Sequence, residues 1–478
     1  MDSASFKFVV YGLAVALVAN LFASSRWRLA VLLTSSLAFL AMQTTSVAAL
    51  LPFAGFLVLG YLCLTAITRG WPRSRLIGIV AIIGAFLWVK KYTILPSALF
   101  LEHPYLTVGI SYIFFRVLHL CIEAVPGAGG PAIGPARYLA YTVNFTTLIS
   151  GPIQRYDAFA ADAFADPPLA LDAATVGRQL ERIVRGFFKV NVLALLFDIV
   201  HTDALADLTQ AASLPTRLLA AFKLSVVYPF FLYNNFSGYI DIVIGLARLL
   251  RIRLPENFDR PFSAASFLDF WNRWHITLSL WLKTYVYNPL LVALARRTES
   301  LEVQQYLGVF CFFVTFFLVG VWHGRTSEFA VFGILQGGGV AANKLWQLWL
   351  TRALGRKGYK ALAAGSVYTI AARGLTFSWF AFTLYWFWSD WTQIDAIAAS
   401  LRPEAWLSVW ITVIVAASAT LAAWERLRTE LLAPERGPGY FLQSLYVRVG
   451  FAASLALLAF IMVALLDQPA PDIVYKAF

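Results

Sequence analysis

Residues 306–324 read YLGVFCFFVTFFLVGVWHG, an uncharged and almost wholly apolar run that ends in a histidine and a glycine. A hydrocarbon core about 30 Å thick is crossed by a helix of about 20 apolar residues. The stretch therefore predicts a membrane helix with an ionisable side chain, His323, at its end. Such a group is costly to hold at membrane depth, so a functional role is its default explanation. Burial would lower its pKa below the usual value near 6.5, leaving a neutral base at physiological pH. Gly324 then brings no side chain, which would let a substrate approach the ring closely. The competing reading is a histidine at headgroup level, hydrogen-bonded to a neighbouring helix.

The same pattern extends outward in both directions. Of 478 residues, 60% are hydrophobic and only 13% charged, against about 25% charged in soluble domains. Mean hydropathy is +0.69. Apolar runs recur near 8–24, 28–44, 46–67, 75–95, 105–125, 137–152, 180–202, 217–250, 303–322, 328–350, 363–388, 405–424 and 446–466. At about 20 residues per crossing they predict roughly ten to thirteen helices, an all-α polytopic membrane protein. Residues 9–25, VVYGLAVALVANLFASS, run directly into more apolar sequence and read as a first membrane helix rather than a cleaved signal. No internal repeat is visible, and 1–478 reads as one membrane-embedded domain.

The net charge of +12 lies in short basic loops: RGWPRSR at 69–75, RIRLPENFDR at 251–260, Arg296 with Arg297, and GRKGYK at 355–360. That distribution is a topology and lipid-surface signal, not a nucleic-acid footprint. Cys63, Cys121 and Cys311 are too widely spaced for a zinc or redox motif and read as small apolar residues. No HExxH motif, Gly-rich phosphate loop or nucleophile elbow is present, so no metal site is expected.

Two segments interrupt the apolar pattern. Residues 157–180 form an acidic, proline-containing stretch that reads as a soluble loop. Residues 251–300 are too polar to span, yet contain FWNRWHITLSLWLKTYVYNPL at 270–290. On a helix over 269–285, Trp271, Trp274, Leu278, Trp281 and Tyr285 form one stripe, and Asn272, His275, Ser279 and Lys283 a second. Asp269 and Arg273 fall at i and i+4, and Pro289 should end the helix. Such a helix suits an interfacial or re-entrant position, with its tryptophans at the membrane boundary. It is either an anchor without chemistry or a wall of a polar cavity containing His275.

The remaining histidines carry weaker signals. His119 shares a helical face with Arg116 and Glu123 and reads mainly as part of an intramembrane ion network; His103 and His201 have no supporting pattern. Asp241 reads as a buried carboxylate paired with an arginine of another helix. Glu256 and Asn257 read as shaping the entry to the aromatic helix.

Residues 236–290, with GISYIFFRVLHL (109–120), SGPIQRY (150–156) and VGVWHG (319–324), resemble the membrane-bound O-acyltransferase family. The likeness is to the bacterial branch that contains D-alanyl transfer and alginate O-acetylation proteins, and it covers most of 105–350. It implies a ring of helices around a central tunnel in a bacterial inner membrane, with His323 catalytic and His275 lining the same passage. It also implies an acyl thioester donor, on a carrier-protein phosphopantetheine or coenzyme A, rather than a bound cofactor. A carrier protein, an extracytoplasmic glycan or a partner transferase would join membrane lipid as partners. Asn272, Arg273, Ser279, Trp322 and Gly324 are then candidate substrate contacts. The chain departs from the branch in ILQGGG (334–339), where Gln336 stands in place of a histidine, and in LLVALARR after YVYNP. The competing classes are a multi-helix transporter or flippase, a non-catalytic scaffold for a soluble acyltransferase, and, more weakly, a glycosyltransferase.

Overall fold

The computed structural model describes residues 5–44, 46–102, 104–126, 133–431, 444–466 and 471–474. His103 lies outside them. The described residues are helical with no strand beyond an isolated bridge between Phe258 and Trp274, and the protein is an all-α polytopic membrane protein. By length and composition, four helices among the described residues are long and apolar enough to cross a bilayer: Val47–Thr68, Glu302–His323, Pro403–Glu430 and Leu445–Leu465. Phe6–Ala19 and Ser74–Val89 are shorter apolar helices. Contacts divide the chain into two compact units.

The first unit comprises 1–192, 235–256 and 455–478. The expected span over 137–152 is not one: the helix Pro135–Thr142 stops, and 143–154 continue as buried, non-helical chain. Asn144, Thr146, Thr147 and Ser150 offer the backbone side-chain partners that compete with a helix, and Pro152 cannot extend one. Buried main-chain carbonyls need donors, and Arg116, only 2% exposed, supplies them. Its Nη1 donates to the Thr142 carbonyl at 2.8 Å and its Nη2 to that of Thr147. Arg116 therefore serves the backbone rather than the expected ion network. The rest of that network forms: His119 Nδ1 lies 3.3 Å from Glu123, which also pairs with Arg155 at 2.9 Å.

The acidic stretch 157–180 is not a free loop. It contains the helix Tyr156–Ala163, and Asp162, 2% exposed, accepts from the Arg253 backbone and guanidinium. Asp241 pairs with Arg182 at 2.9 Å and Lys189 at 2.7 Å, as its position suggested. Glu256 takes the other two nitrogens of Arg182.

The second unit comprises 193–234 and 257–454. Its main feature for function is the hairpin of helices Leu301–His323 and Ser327–Ala364. A Cβ on Gly320 would meet the Gly333 Cα at 2.2 Å, and one on Gly333 would meet the Phe317 carbonyl at 2.5 Å. Only missing side chains allow such backbone contact, the small-residue packing typical of membrane helices. It fixes where the end of the first helix, and so His323, stands.

Candidate active site

The aromatic segment does not form the single helix that its periodicity predicts. It is helical over Phe267–Arg273 and again over Ile276–Leu282, continues as a π-helical turn Lys283–Tyr287, and then as Asn288–Ala295. Pro289 lies in the first turn of that last helix rather than ending one, a position where its missing N–H costs nothing. At the break Trp274 is extended and His275 is left-handed, φ 46° and ψ 51°. That region is uncommon for a residue with a Cβ and persists only where the surroundings enforce it.

Asn257 supplies the enforcement. Its carbonyl accepts from the Ile276 N–H at 3.0 Å, and its Oδ1 from the Thr277 N–H and Oγ1–H at 3.1 and 2.9 Å. Asp259 N–H donates to the Arg273 carbonyl at 2.9 Å on the other side of the break. Asn257, fully buried, thus satisfies the first two donors of Ile276–Leu282 with its carbonyl and its Oδ1, as a helix cap does. Its Nδ2 has no hydrogen-bond partner among the described residues.

The break also overturns the assignment of the stripes. Trp271, Trp274 and Trp281 are 2, 1 and 7% exposed, interior packing residues and not a boundary belt. Trp274 stacks with Phe270 at 5.6 Å and contacts Phe380 at 5.1 Å. On the polar side, Asn272 and Lys283 are exposed, while His275 is 1% exposed. Arg273 pairs with Asp269 at 3.0 Å, as expected, and lies 3.9 Å from Asp259. Burial pushes the His275 imidazole down to about 3, which holds it neutral at neutral pH.

His275 and His323 meet through Trp322. The Trp322 ring centroid is 6.2 Å from that of His275 and 4.7 Å from that of His323. His323, 1% exposed, is closed in by Phe332 at 5.9 Å and Phe387 at 5.2 Å. The two histidines that the sequence singled out therefore stand against one tryptophan. Ser279 follows on the same short helix, its N–H donating to the His275 carbonyl at 3.1 Å. Its Oγ is buried without a hydrogen-bond partner among the described residues. Gly324 does not leave room for a substrate: a Cβ there would fall 2.0 Å from the Phe329 ring, which already covers it.

Two residues, Phe387 and Glu328, and the partners of a third escaped the sequence reading. Gln336, fully buried, accepts from Trp271 Nε1 at 3.2 Å and donates to Thr383 Oγ1 at 2.7 Å. It ties three helices together behind the break; its place in ILQGGG marked it, but its partners lie far off in sequence. Phe387 has no pattern that would have found it. Glu328 is 8% exposed, with Oε1 accepting from the Trp391 N–H at 3.2 Å and Oε2 without a partner among the described residues. An acid at the very start of the apolar run from Phe329 was its available signal.

Residues 131–387 match the family description MBOAT, membrane-bound O-acyltransferase family. The chain belongs to that family. A teichoic acid D-alanyltransferase of Bacillus subtilis is 27% identical over 280 residues, 59% of this chain and 68% of that protein. A probable alginate O-acetylase of Pseudomonas fluorescens is 31% identical over 246 residues, 51% of this chain and 46% of its own. A peptidoglycan O-acetyltransferase of Helicobacter pylori is 33% identical over 200 residues, 42% of this chain and 36% of the relative. The chain thus spans under half the length of the latter two relatives. All three are named for moving an acyl group onto an envelope or exported polymer.

Proposed function

We propose that this protein transfers a small acyl group, acetyl or D-alanyl, from a thioester donor to a hydroxyl of a cell-envelope or exported glycan, at a bacterial inner membrane. The carrying observation is the pair of buried histidines joined through Trp322 at the end of an otherwise apolar helix. The names of the relatives support the substrate class.

In this reading the acceptor hydroxyl attacks the acyl carbonyl while His323 takes its proton. Collapse of the tetrahedral intermediate forms the ester, breaks the carbon–sulfur bond and returns the proton from His323 to the departing thiolate. A positioned base contributes roughly 10²–10⁴-fold. His275 and the Ser279 hydroxyl are the nearest groups for orienting the donor or stabilising the oxyanion. Asn272 and Arg273 precede the break and meet substrate at the mouth of the site rather than beside the histidines. The donor reaches the protein on a phosphopantetheine arm or as coenzyme A, brought by a carrier protein in the first case. An extracytoplasmic transferase or the glycan itself receives the acyl group.

The test is loss of acyl groups from acetyl and D-alanyl thioesters by purified protein in detergent. Wild type should turn over at least one donor, and His323→Ala should lower the rate at least about 100-fold while melting like wild type. His275→Ala should slow transfer less. Undiminished turnover by a folded His323→Ala protein removes that residue from the mechanism.

A further inference from the structure

Away from the histidines, in the second unit, the last turns of the helix Pro403–Leu431 and the segment 260–263 enclose a cavity of about 450 Å³. Ligand pockets commonly span about 300–1,000 Å³. Phe230, Tyr233, Phe262, Leu421 and Trp424 form its apolar walls. Its polar end is formed by Arg260, Arg428, Glu425 and Ser263. Ser263 Oγ donates to Glu425, which also accepts from Arg428 at 3.2 Å, and Arg373 Nε donates to the Ser263 carbonyl at 3.1 Å. Asp259 engages Arg260 at 3.1 Å. Three guanidinium groups thus face two carboxylates, leaving one positive charge, and Arg428 Nε is buried with no partner among the described residues.

The helix fixes the depth of this cavity. Residues 405–424 carry no charge, and charges begin at Glu425. Only 22% of the helix's apolar window is buried, so most of it faces outward. Trp424, 59% exposed, sits at the change from apolar to charged sequence, where tryptophans mark the membrane–water interface. The apolar walls therefore lie at acyl-chain depth and the guanidinium groups at headgroup depth. We propose that the cavity holds a phospholipid, one acyl chain against Phe230, Phe262 and Leu421 and its phosphate at Arg260 and Arg428. Free phosphate shares the headgroup chemistry but has no use for the apolar walls. Basic pockets beside membrane helices recognise lipid phosphates on these grounds.

Native mass spectrometry of the full chain in detergent tests this, with dioleoylphosphatidylglycerol, dioleoylglycerol and inorganic phosphate as separate probes. Phosphatidylglycerol should remain as a one-to-one adduct under activation that strips dioleoylglycerol. Arg260→Gln, at an exposed position, should weaken retention about tenfold while melting like wild type. Leu421→Trp, which fills the cavity, should abolish it. Equal retention of dioleoylglycerol, or wild-type retention by both variants, overturns the proposal. Displacement of the lipid by inorganic phosphate at like concentration overturns it in favour of an ion site. None of these readouts involves acyl transfer, so the outcome is independent of the role given to His323.

Discussion

Each of the two units buries a stretch of chain that is not helical, and each resolves it differently. In the first, residues 143–154 leave carbonyls that Arg116 satisfies with its guanidinium. In the second, the break at 274–275 leaves donors that Asn257 satisfies with a neutral amide and its own carbonyl. Arg116 is used up by the backbone that it serves. The Asn257 solution spends no charge, and the His275 ring that it positions lies against Trp322. A buried ionisable side chain is thus a functional signal only after its backbone duties are counted. By that test Arg116 is structural.

Substitutions should separate the two cases. Arg116→Leu leaves the Thr142 and Thr147 carbonyls bare, at about 1–3 kcal/mol each. The expected result is a large fall in melting temperature in detergent, with activity lost only in step with the folded fraction. A normal melt with lost activity would move Arg116 into the chemistry. Asn257→Ala removes a cap worth about 1–2 kcal/mol. Its melt should drop modestly, while turnover per folded molecule drops further, because His275 is released from its left-handed conformation. Equal losses in both would reduce Asn257 to a packing residue. Gln336→Leu strands the Trp271 indole N–H at about 1–3 kcal/mol, whereas Gln336→His should restore a bond to one of the two partners and recover part of the stability. No difference between those two variants would mean that the Trp271–Gln336–Thr383 bridge does not hold the break.

Much of this was visible in the sequence, and its limits are physical. The apolar runs gave the membrane class because hydrocarbon depth sets a length that composition reports directly. His323 and His275 stood out because ionisable groups are rare in such surroundings. The break at 274–275 was hidden because the 3.6-residue spacing of Trp271, Trp274, Leu278 and Trp281 continues through it. What stops the helix is Asn257, eighteen residues earlier, and a local pattern holds no trace of that bond. The span expected over 137–152 failed similarly: its apolar content read as a helix, while its threonines, Asn144 and Pro152 argued for chain that another helix's arginine would have to serve.

The contact between Gly320 and Gly333 bears on how accurately His323 can be placed. Where side chains interdigitate, two helices can slide by small adjustments of rotamer. Where backbones touch, no rotamer is available to absorb a shift, and the contact holds only while glycine stands on both sides. The hairpin can flex as a whole, but His323 sits at the end of something closer to a keyed shaft than a greased one. Its precision comes from atoms that are missing one turn away.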